Sequence, residues 1–531
     1  MDHKMDFKHL ESPSFDLKEA EALPLQSLSA THDVESSAEE AGACQPLYNA
    51  EIYGSLRKGG AVKFFSRQSI GLVAATFSST FAVGCLKSSI QPMLLQHFAL
   101  SPVQLAASQR LTGMPLLLSF LFGLLSDCYP IMGSRRKAYA LVGLATSVPS
   151  IWCLAGLNAY AESFPAGTAG TGLAVLVVAI AALASMGNIV IYVGVHTRLI
   201  ELAQREPLGL RGSILATYLS FRCVMCIVTD ACVVIVQRSA TATSSHQTTA
   251  LIVFGFISAL PVPLICKFWE EKCYSLSTTV KTRGQILWKV MQQKAVWSVL
   301  AFQCFFTLFN QISFSGPAGI ITVWAGASDD SPFIQRILHY VTTIATLLVW
   351  RCYFMNRPWR SFYAAGPLLL ILPQLIVSVL VSQDILRDRV FYRVMSVFGN
   401  VSSTIVWIAS VVPLTEIVQE GSEGAVVGLT LSFNFYDIAD VALDTPDARG
   451  DVLRALILNY GINALSLFGL LFLPRQKLDT QQLRSYGGYT KCASAAIVAF
   501  SGILFLFSAA VSVMTFIPGT ACMRINGGAG C

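Results

Sequence analysis

Charged residues are scarce in this chain. Asp, Glu, Lys and Arg make up 13% of its 531 residues, against roughly 25% in an ordinary soluble domain. They crowd into the first seventy residues and a few short segments, and apolar stretches of about 20 residues lie between them. A water-soluble surface cannot be built from so few charges, so the pattern predicts that lipid is the solvent. In a membrane protein the net charge of +6 is less informative than the side of the bilayer that the Lys and Arg residues occupy, and nucleic acid is not an expected partner.

Motifs for catalysis and metal binding are also lacking. The sequence has no H-E-x-x-H, G-x-S-x-G or P-loop pattern and no clustered His and Asp residues, so no enzyme activity, catalytic residue or cofactor is expected. Cys223 and Cys226 form a C-x-x-C in an apolar segment, but no second pair or His completes a metal site. Cys522 and Cys531 fall outside the cytosol in the topology below, where a disulfide between them would persist.

Apolar segments are what the chain has in abundance. Backbone polar groups find no water in hydrocarbon, so each segment is predicted to be a membrane-spanning helix. We number the thirteen predicted segments as spans 1 to 13, and they cover residues 69–90, 105–125, 137–156, 172–194, 213–236, 248–266, 295–316, 333–351, 361–381, 391–412, 423–441, 452–473 and 492–516.

The loops predict how these spans are oriented. Basic residues concentrate in every second loop, which places those loops and the N-terminus in the cytosol by the positive-inside rule, with the plasma membrane as the expected location. The residues that carry this signal are Arg135, Arg136, Lys137, Arg198, Arg205, Arg211, Lys267, Lys272, Lys281, Arg283, Lys289, Lys294, Arg351, Arg357, Arg360, Arg475, Lys477, Arg484 and Lys491.

A basic central loop after span 6 divides the chain into two halves of similar length, as in a six-plus-six transporter. The expected fold class is therefore an all-α integral membrane protein with 12 transmembrane helices in two halves and an extra C-terminal helix. The expected parts are a disordered cytosolic tail (1–68), an N-terminal six-helix half (69–266), a central loop (267–294), a C-terminal six-helix half (295–474), a cytosolic linker (475–491) and the extra helix with a short extracytosolic tail (492–531).

The loop between spans 2 and 3 carries the most specific motif. It reads G-x-x-S-D-x-x-P-x-x-G-x-R-R-x-x-Y from Gly123 to Tyr139. Gly123 permits close helix approach, Pro130 and Gly133 set a turn, and Asp127 lies near Arg135 and Arg136, which can bridge to a neighbouring helix. We interpret this cluster as a gating loop that latches the two halves in one state. The plainer interpretation is that Asp127 only neutralises a basic loop.

This string resembles the loop signature of the major facilitator superfamily, in the variant carried by the folate-biopterin transporter family. Leu100–Gln104, Glu201–Gly212 and Gly424–Asn434 extend the resemblance over most of the chain from about residue 69 to 475. The resemblance implies a secondary transporter that moves folate or pterin solutes by alternating access, with a proton as the candidate coupling ion. Two departures are Ser119-Phe120, where the family commonly has Lys-Pro, and His196, where it tends to place an acidic residue.

Polar side chains at membrane depth are the candidate solute site, because such groups cost free energy unless they face a cavity or a partner. Arg222 falls near mid-membrane and could bind a carboxylate in bidentate fashion or serve a structural pair. Lys87, Asn400 and Asn434 are further candidates for solute binding, with snorkelling and inter-helix hydrogen bonds as the alternatives. Asp230 and Asp437 are candidates for carrying a proton.

Two other functions fit the same sequence. One is transport of another small organic solute, and the other is a non-transporting nutrient receptor that kept the fold. The expected partners are a small solute and the lipid bilayer, and the sequence leaves the oligomeric state open.

Overall fold

The fold is an almost wholly helical bundle. The computed structural model describes residues 54–98, 102–165, 167–168, 170–239, 245–273, 279–327, 332–433 and 449–516. Among these residues, eleven helices are long and apolar enough to cross a membrane, or twelve if one bent pair counts as a single span. Backbone pairing other than helical is limited, in the described part, to isolated bridges such as the one between Ile131 and Ser134.

The predicted spans 1 to 6 correspond to helices, several of them longer than expected. Span 2 is interrupted by a short 3-10 turn at Met114–Leu118, where Pro115 cannot donate a backbone hydrogen bond. The helices of this half are Ile70–His97, Pro102–Gly113 with Ser119–Cys128, Lys137–Ala161, Thr171–Ala203, Ser213–Ser239, and Ser245–Ala259 with Val262–Phe268.

The second half and the extra helix follow the same pattern. Its helices are Lys294–Gln311 with Ser315–Trp324, Pro332–Val349, Trp359–Ser382, Arg389–Val411 with Leu414–Ile417, Glu423–Ser432, Arg449–Ala464 with Ser466–Gly469, and Lys491–Phe516. Span 11 is described only over Glu423–Ser432. The predicted site residues Asn434 and Asp437, and Cys522 and Cys531, lie outside the described residues.

Three features differ from the sequence prediction. Residues 54–68 were expected to be part of a disordered tail, yet they pack on the bundle, and Phe64 is only 2% exposed. The central loop contains a helix at Val280–Met291. Thr279 caps the N-terminus of this helix, since its side-chain oxygen accepts from the Thr282 N–H. The linker before span 13 contains a helix at Lys477–Tyr486, which we call the linker helix.

Span 7 was predicted as one helix but is broken. Its two helices meet at a bend of 46°. Pro317 lies in the first turn of the second helix. Because proline has no N–H, it cannot bond back to the first helix, and this accounts for the position of the break. The side-chain amide of Asn463 on span 12 donates to the carbonyl oxygens of Phe309 and Ile312, at 2.7 and 2.8 Å. Carbonyls freed at the break are thereby satisfied without water, as the membrane interior requires.

Among the described residues, the two halves meet mainly along two helix pairs. Span 2 packs against span 11 through Ser119–Cys128 and Glu423–Ser432, and span 5 packs against span 8. One buried apolar cluster joins the halves and includes Leu199 and Tyr218 from the first half with Ile408 and Leu414 from the second. We call the end of the bundle that carries the loops 129–136, 204–212 and 470–490 the basic end.

Replacing Asn463 with Leu is expected to destabilise the fold by about 1–2 kcal/mol, because the Phe309 and Ile312 carbonyls lose their donor inside the membrane. Thermal unfolding of the purified protein in detergent would measure the change. Thr342→Val is the matched control, since the Thr342 hydroxyl bonds only within its own helix, to the Leu338 carbonyl. Equal stability of the two variants would contradict this role for Asn463.

Candidate functional site

A cluster of buried charges lies at the basic end, and we call it the gate cluster. Arg136 is its centre and is 1% exposed. Its guanidinium lies 2.5 Å from a carboxylate oxygen of Asp127, 3.6 Å from Glu201 and 3.5 Å from Glu423. Burial by itself would lower the pKa of Arg136, but attraction to the three carboxylates outweighs burial and raises it. Arg136 therefore stays charged and holds three helices by one side chain.

Asp127 connects span 2 to span 11 through the backbone. Its two carboxylate oxygens accept the backbone N–H groups of Gly424 and Ala425, at 3.2 and 2.9 Å. These are N–H groups of the first turn of the helix that begins at Glu423, which have no partner within the helix itself. A carboxylate at a helix N-terminus is also favoured by the helix dipole. One half of the molecule thus caps a helix of the other half.

The same two spans touch through glycines. A methyl group on Gly123 would overlap the carbonyl oxygen of Gly424, and one on Gly428 would overlap the carbonyl oxygen of Ser119. Small residues allow this backbone contact, which larger ones would prevent. The absence of a side chain at these positions is what lets Asp127 reach the end of span 11.

The turn between spans 2 and 3 presents Arg136 to the cluster. Met132 and Gly133 adopt positive φ angles of 50° and 75°, in a turn that Pro130 precedes. Glu271, which follows span 6, accepts the backbone N–H groups of Arg135 and Arg136 at 3.0 Å. It also accepts from the Lys137 N–H and the Ser134 hydroxyl, so it caps the N-terminus of span 3 from a distant part of the chain.

A second buried ion pair joins the halves. Arg211, before span 5, lies 2.8 Å from Glu416 at the end of span 10, and both side chains are fully buried. The amide of Gln204 donates to the carbonyl oxygens of Thr415 and Val418, each at 2.8 Å. Gln481 of the linker helix donates to Glu416 at 3.0 Å.

Lys477 of the linker helix reinforces this second contact. Its ammonium donates to the Arg211 carbonyl oxygen at 2.8 Å. Burial lowers the pKa of Lys477 to about 8, and attraction to Glu416 partly offsets that effect. Burial also raises the pKa of Glu206, although its carboxylate caps the start of span 5 by accepting from the Gly212 and Ile214 N–H groups.

The ordered N-terminal segment, residues 54–65, lies across both contacts. The Gly54 carbonyl accepts from Arg211 at 2.9 Å, and the Leu56 and Arg57 N–H groups donate to the Gln204 carbonyl. The Arg57 guanidinium lies 2.6 Å from Glu423 of span 11. Farther along, Phe64 packs against the rings of Tyr218 and Phe221.

Arg222 lies deeper in the membrane, in span 5. Its guanidinium stacks 4.2 Å from the centre of the Tyr192 ring of span 4 and donates to the Tyr218 hydroxyl at 3.2 Å. None of the ion pairs seen among the described residues gives it a carboxylate partner. His196 of span 4 is fully buried beside the same two tyrosines, with ring centroids 5.3 and 5.9 Å away.

The other predicted site residues occupy several helices. Lys87 is exposed on span 1. Asp230, toward the other end of span 5, forms an ion pair of 2.8 Å with Arg336 of span 8. Asn400 of span 10 lies 3.1 Å from a ring nitrogen of His339 of span 8. Asp230 and Asn400 thus both contact span 8.

Sequence reasoning identified Asp127 and Arg136 but missed the acidic residues that hold this end of the bundle together. Glu201, Glu271, Glu416 and Glu423 all stand near the ends of spans, where a charge needs no explanation from the sequence alone. Their spacing along the chain exceeds one hundred residues in most pairs, so no local pattern links them. Glu201 and Arg211 had a weak signal, because both belong to the loop that extended the family resemblance.

Comparisons with known proteins agree on the kind of protein. A search by sequence among curated proteins gives no match. Among solved structures, the proton:xylose symporter XylE, bound to 6-bromo-6-deoxy-D-glucose, is 12% identical with a TM-score of 0.53, over 79% of this chain and 98% of that one. A double-tryptophan variant of XylE is 14% identical with a TM-score of 0.56, over 78% and 98%. A bacterial homologue of the iron transporter ferroportin is 12% identical with a TM-score of 0.50, over 84% and 100%.

These identities are low enough that the likeness shows the fold alone, which is that of the major facilitator superfamily. The model of the BT1 family matches residues 80–441, more than half of the chain. This protein is therefore a multi-pass membrane transporter that belongs to the BT1 family, the folate-biopterin transporter family.

Proposed function

We propose that this transporter carries folate or pterin solutes across the plasma membrane by alternating access. The observation that carries the proposal is Arg222, a guanidinium at mid-membrane that stacks on Tyr192 and has no carboxylate partner among the described residues. A buried cation without a counter-ion is costly unless a ligand supplies one. A carboxylate such as that of a folate tail meets this need in bidentate geometry.

The surroundings of Arg222 suit a flat, partly aromatic solute. Tyr192 and Tyr218 offer ring faces. On span 10, beside His339, Asn400 offers an amide that can hydrogen-bond to a heterocycle edge. Lys87 adds a second positive charge on span 1. In this proposal Asn434 contributes from span 11, and the proton is the candidate coupling ion, with Asp230 and Asp437 as the groups first indicated by the sequence.

The gate cluster supports alternating access. Contacts between the halves at the basic end include the Asp127 cap on span 11 and the Arg211–Glu416 pair. We assign the basic end and the N-terminus to the cytosol, so this state is closed toward the cytosol. Asp230 with Arg336 then lies toward the outer side and links spans 5 and 8 there. Rocking of the halves would break the inner contacts and expose the site to the cytosol.

Substitution of Arg222 tests the solute assignment. Uptake of labelled folate and biopterin into proteoliposomes is expected for the wild-type protein and expected to fall at least about tenfold for Arg222→Gln, because a charged bidentate contact contributes about 1.5–3 kcal/mol. Arg222→Lys keeps the charge but not the planar fork, and we expect an intermediate rate. Arg351→Lys is the matched control, because Arg351 is exposed and its guanidinium donates to the Thr217 hydroxyl.

Two outcomes would overturn the assignment. Absence of uptake of either compound by folded wild-type protein would leave another organic solute, which competition with unlabelled compounds would identify. Saturable binding without accumulation would favour the nutrient receptor instead. Unchanged uptake by the Arg222→Gln protein would remove Arg222 from the solute site.

Closure of the basic end depends on glycine contacts, so Gly123→Val is expected to hold spans 2 and 11 apart. Cys128, fully buried at the end of span 2, would then react faster with a water-soluble maleimide, by about tenfold or more. Mass spectrometry of the Cys128 peptide would measure the rate. Gly156→Val is the control, since a side chain there meets open space. Equal labelling of the two variants would contradict the closed-gate interpretation.

A further inference from the structure

His196 is a buried group that the proposed gate and solute contacts leave unused. Its side chain is fully buried in span 4, and neither ring nitrogen has a hydrogen-bond partner among the described protein groups. Buried polar atoms are nearly always paired, so an imidazole with both nitrogens unpaired calls for an explanation. A neutral imidazole has one N–H and one lone pair, and the lone pair can take a proton.

The depth of His196 matches that of Arg222. His196 stands eight residues before Gln204, and Arg222 nine residues after Ser213, so both lie about 12–14 Å from the basic end. Tyr192 and Tyr218 contact both side chains: Arg222 stacks on the two rings, and the His196 ring lies within 6 Å of each. The imidazole and the guanidinium therefore share one aromatic pocket.

Arg222 is the charged group that we expect to influence His196 most strongly. The charged groups on elements that pack against span 4 include Lys87 of span 1, Arg110 and Asp127 of span 2, Arg136 and Lys137 at the start of span 3, Arg222 and Asp230 of span 5, Glu416 after span 10 and Glu423 of span 11, with Arg198 and Glu201 on span 4 itself. Of these, Arg222 is the one whose side chain contacts the same two tyrosines as His196. Two adjacent buried cations repel strongly because little water screens them. We therefore expect His196 to be neutral while Arg222 has no counter-ion.

An anion on Arg222 would reverse this situation. Its negative charge would offset the guanidinium, and a proton could then join His196 without leaving an excess of positive charge. Linkage is reciprocal, so a proton on His196 would strengthen binding of the anion by the same factor. Asp230 is less suited to this role in the present state because it is already paired with Arg336.

We propose that His196 is the proton-binding group of this transporter and that one proton binds there together with one anionic solute on Arg222. The proton is taken from water on the side to which the site is open and adds to the free ring nitrogen. It leaves from the same nitrogen to water on the other side when the anion departs. The proposal rests on the proposed function, because it requires a solute that carries a carboxylate.

Transport by His196→Gln protein is the first test. In wild-type proteoliposomes, folate binding is expected to weaken about tenfold per pH unit as the pH rises, since one proton accompanies each anion. The His196→Gln protein is expected to exchange internal for external folate at a rate that hardly depends on pH, and to lose accumulation driven by a pH gradient. Retention of gradient-driven accumulation by this variant would overturn the proposal.

A second test needs no solute and separates the two proposals. Histidine labelled with ¹³C would be followed by NMR during a pH titration of the full-length protein, with the His196 signal assigned by its loss in His196→Gln. His196 is expected to titrate at least about one pH unit higher in Arg222→Gln than in wild-type protein, because the opposing charge is gone. Phe221→Leu is the control, because it changes the residue next to Arg222 without removing a charge. His196 should titrate in this variant as it does in the wild-type protein.

Identical titration of His196 in wild-type and Arg222→Gln protein would overturn the coupling, whatever the solute is. If the titration shifts as expected while wild-type protein neither binds nor exchanges folate, the coupling stands and the folate assignment fails. Another carboxylate solute would then be sought with the same two variants.

Discussion

The carboxylate of Asp127 is the contact on which the packing of the two halves at the basic end depends. It binds the Arg136 guanidinium on one side and two backbone N–H groups of span 11 on the other. Both interactions occur away from water, where an unpaired partner would be costly. Separation of spans 2 and 11 therefore requires these groups to be hydrated or to find new partners in a single step. Such an arrangement favours two discrete states over a continuous range of openings.

Elements outside the twelve-helix core reinforce this end. The N-terminal segment adds Arg57 to Glu423, and the linker helix adds Gln481 to Glu416. Each extension contacts the junction of loop 204–212 with the second half, which is the interface that would open in the proposed transport cycle. Both segments would thereby contribute to the energy difference between the two proposed states.

Much of the fold could be predicted from the sequence because one rule applies to every apolar segment: backbone polar groups find no water partner in hydrocarbon, so the segment must form a helix. Thirteen apolar stretches, their order and the extra C-terminal helix follow from that rule, and the helices confirm the all-α fold class. The break in span 7 was missed, since Asn463 supplies its hydrogen bonds from a helix more than one hundred residues away. The ordering of residues 54–68 was missed for the same reason: its causes lie in Gln204, Arg211 and Glu423. Polar candidates could be named from their depth, but their partners, such as Arg336 for Asp230, required the packed structure.

The gate cluster becomes balanced in charge when the arginines that pair with its outer carboxylates are included, namely Arg57 on Glu423 and Arg198 on Glu201. Arg57, Arg136 and Arg198 face Asp127, Glu201 and Glu423. A displacement of this neutral group moves almost no net charge across the bilayer, whereas one elementary charge crossing a potential of 100 mV exchanges about 2.3 kcal/mol. We therefore expect the membrane voltage to change the free energy of opening the proposed gate very little. We expect the electrical dependence of the transport cycle to arise instead from charges outside this cluster, including those that travel with the solute.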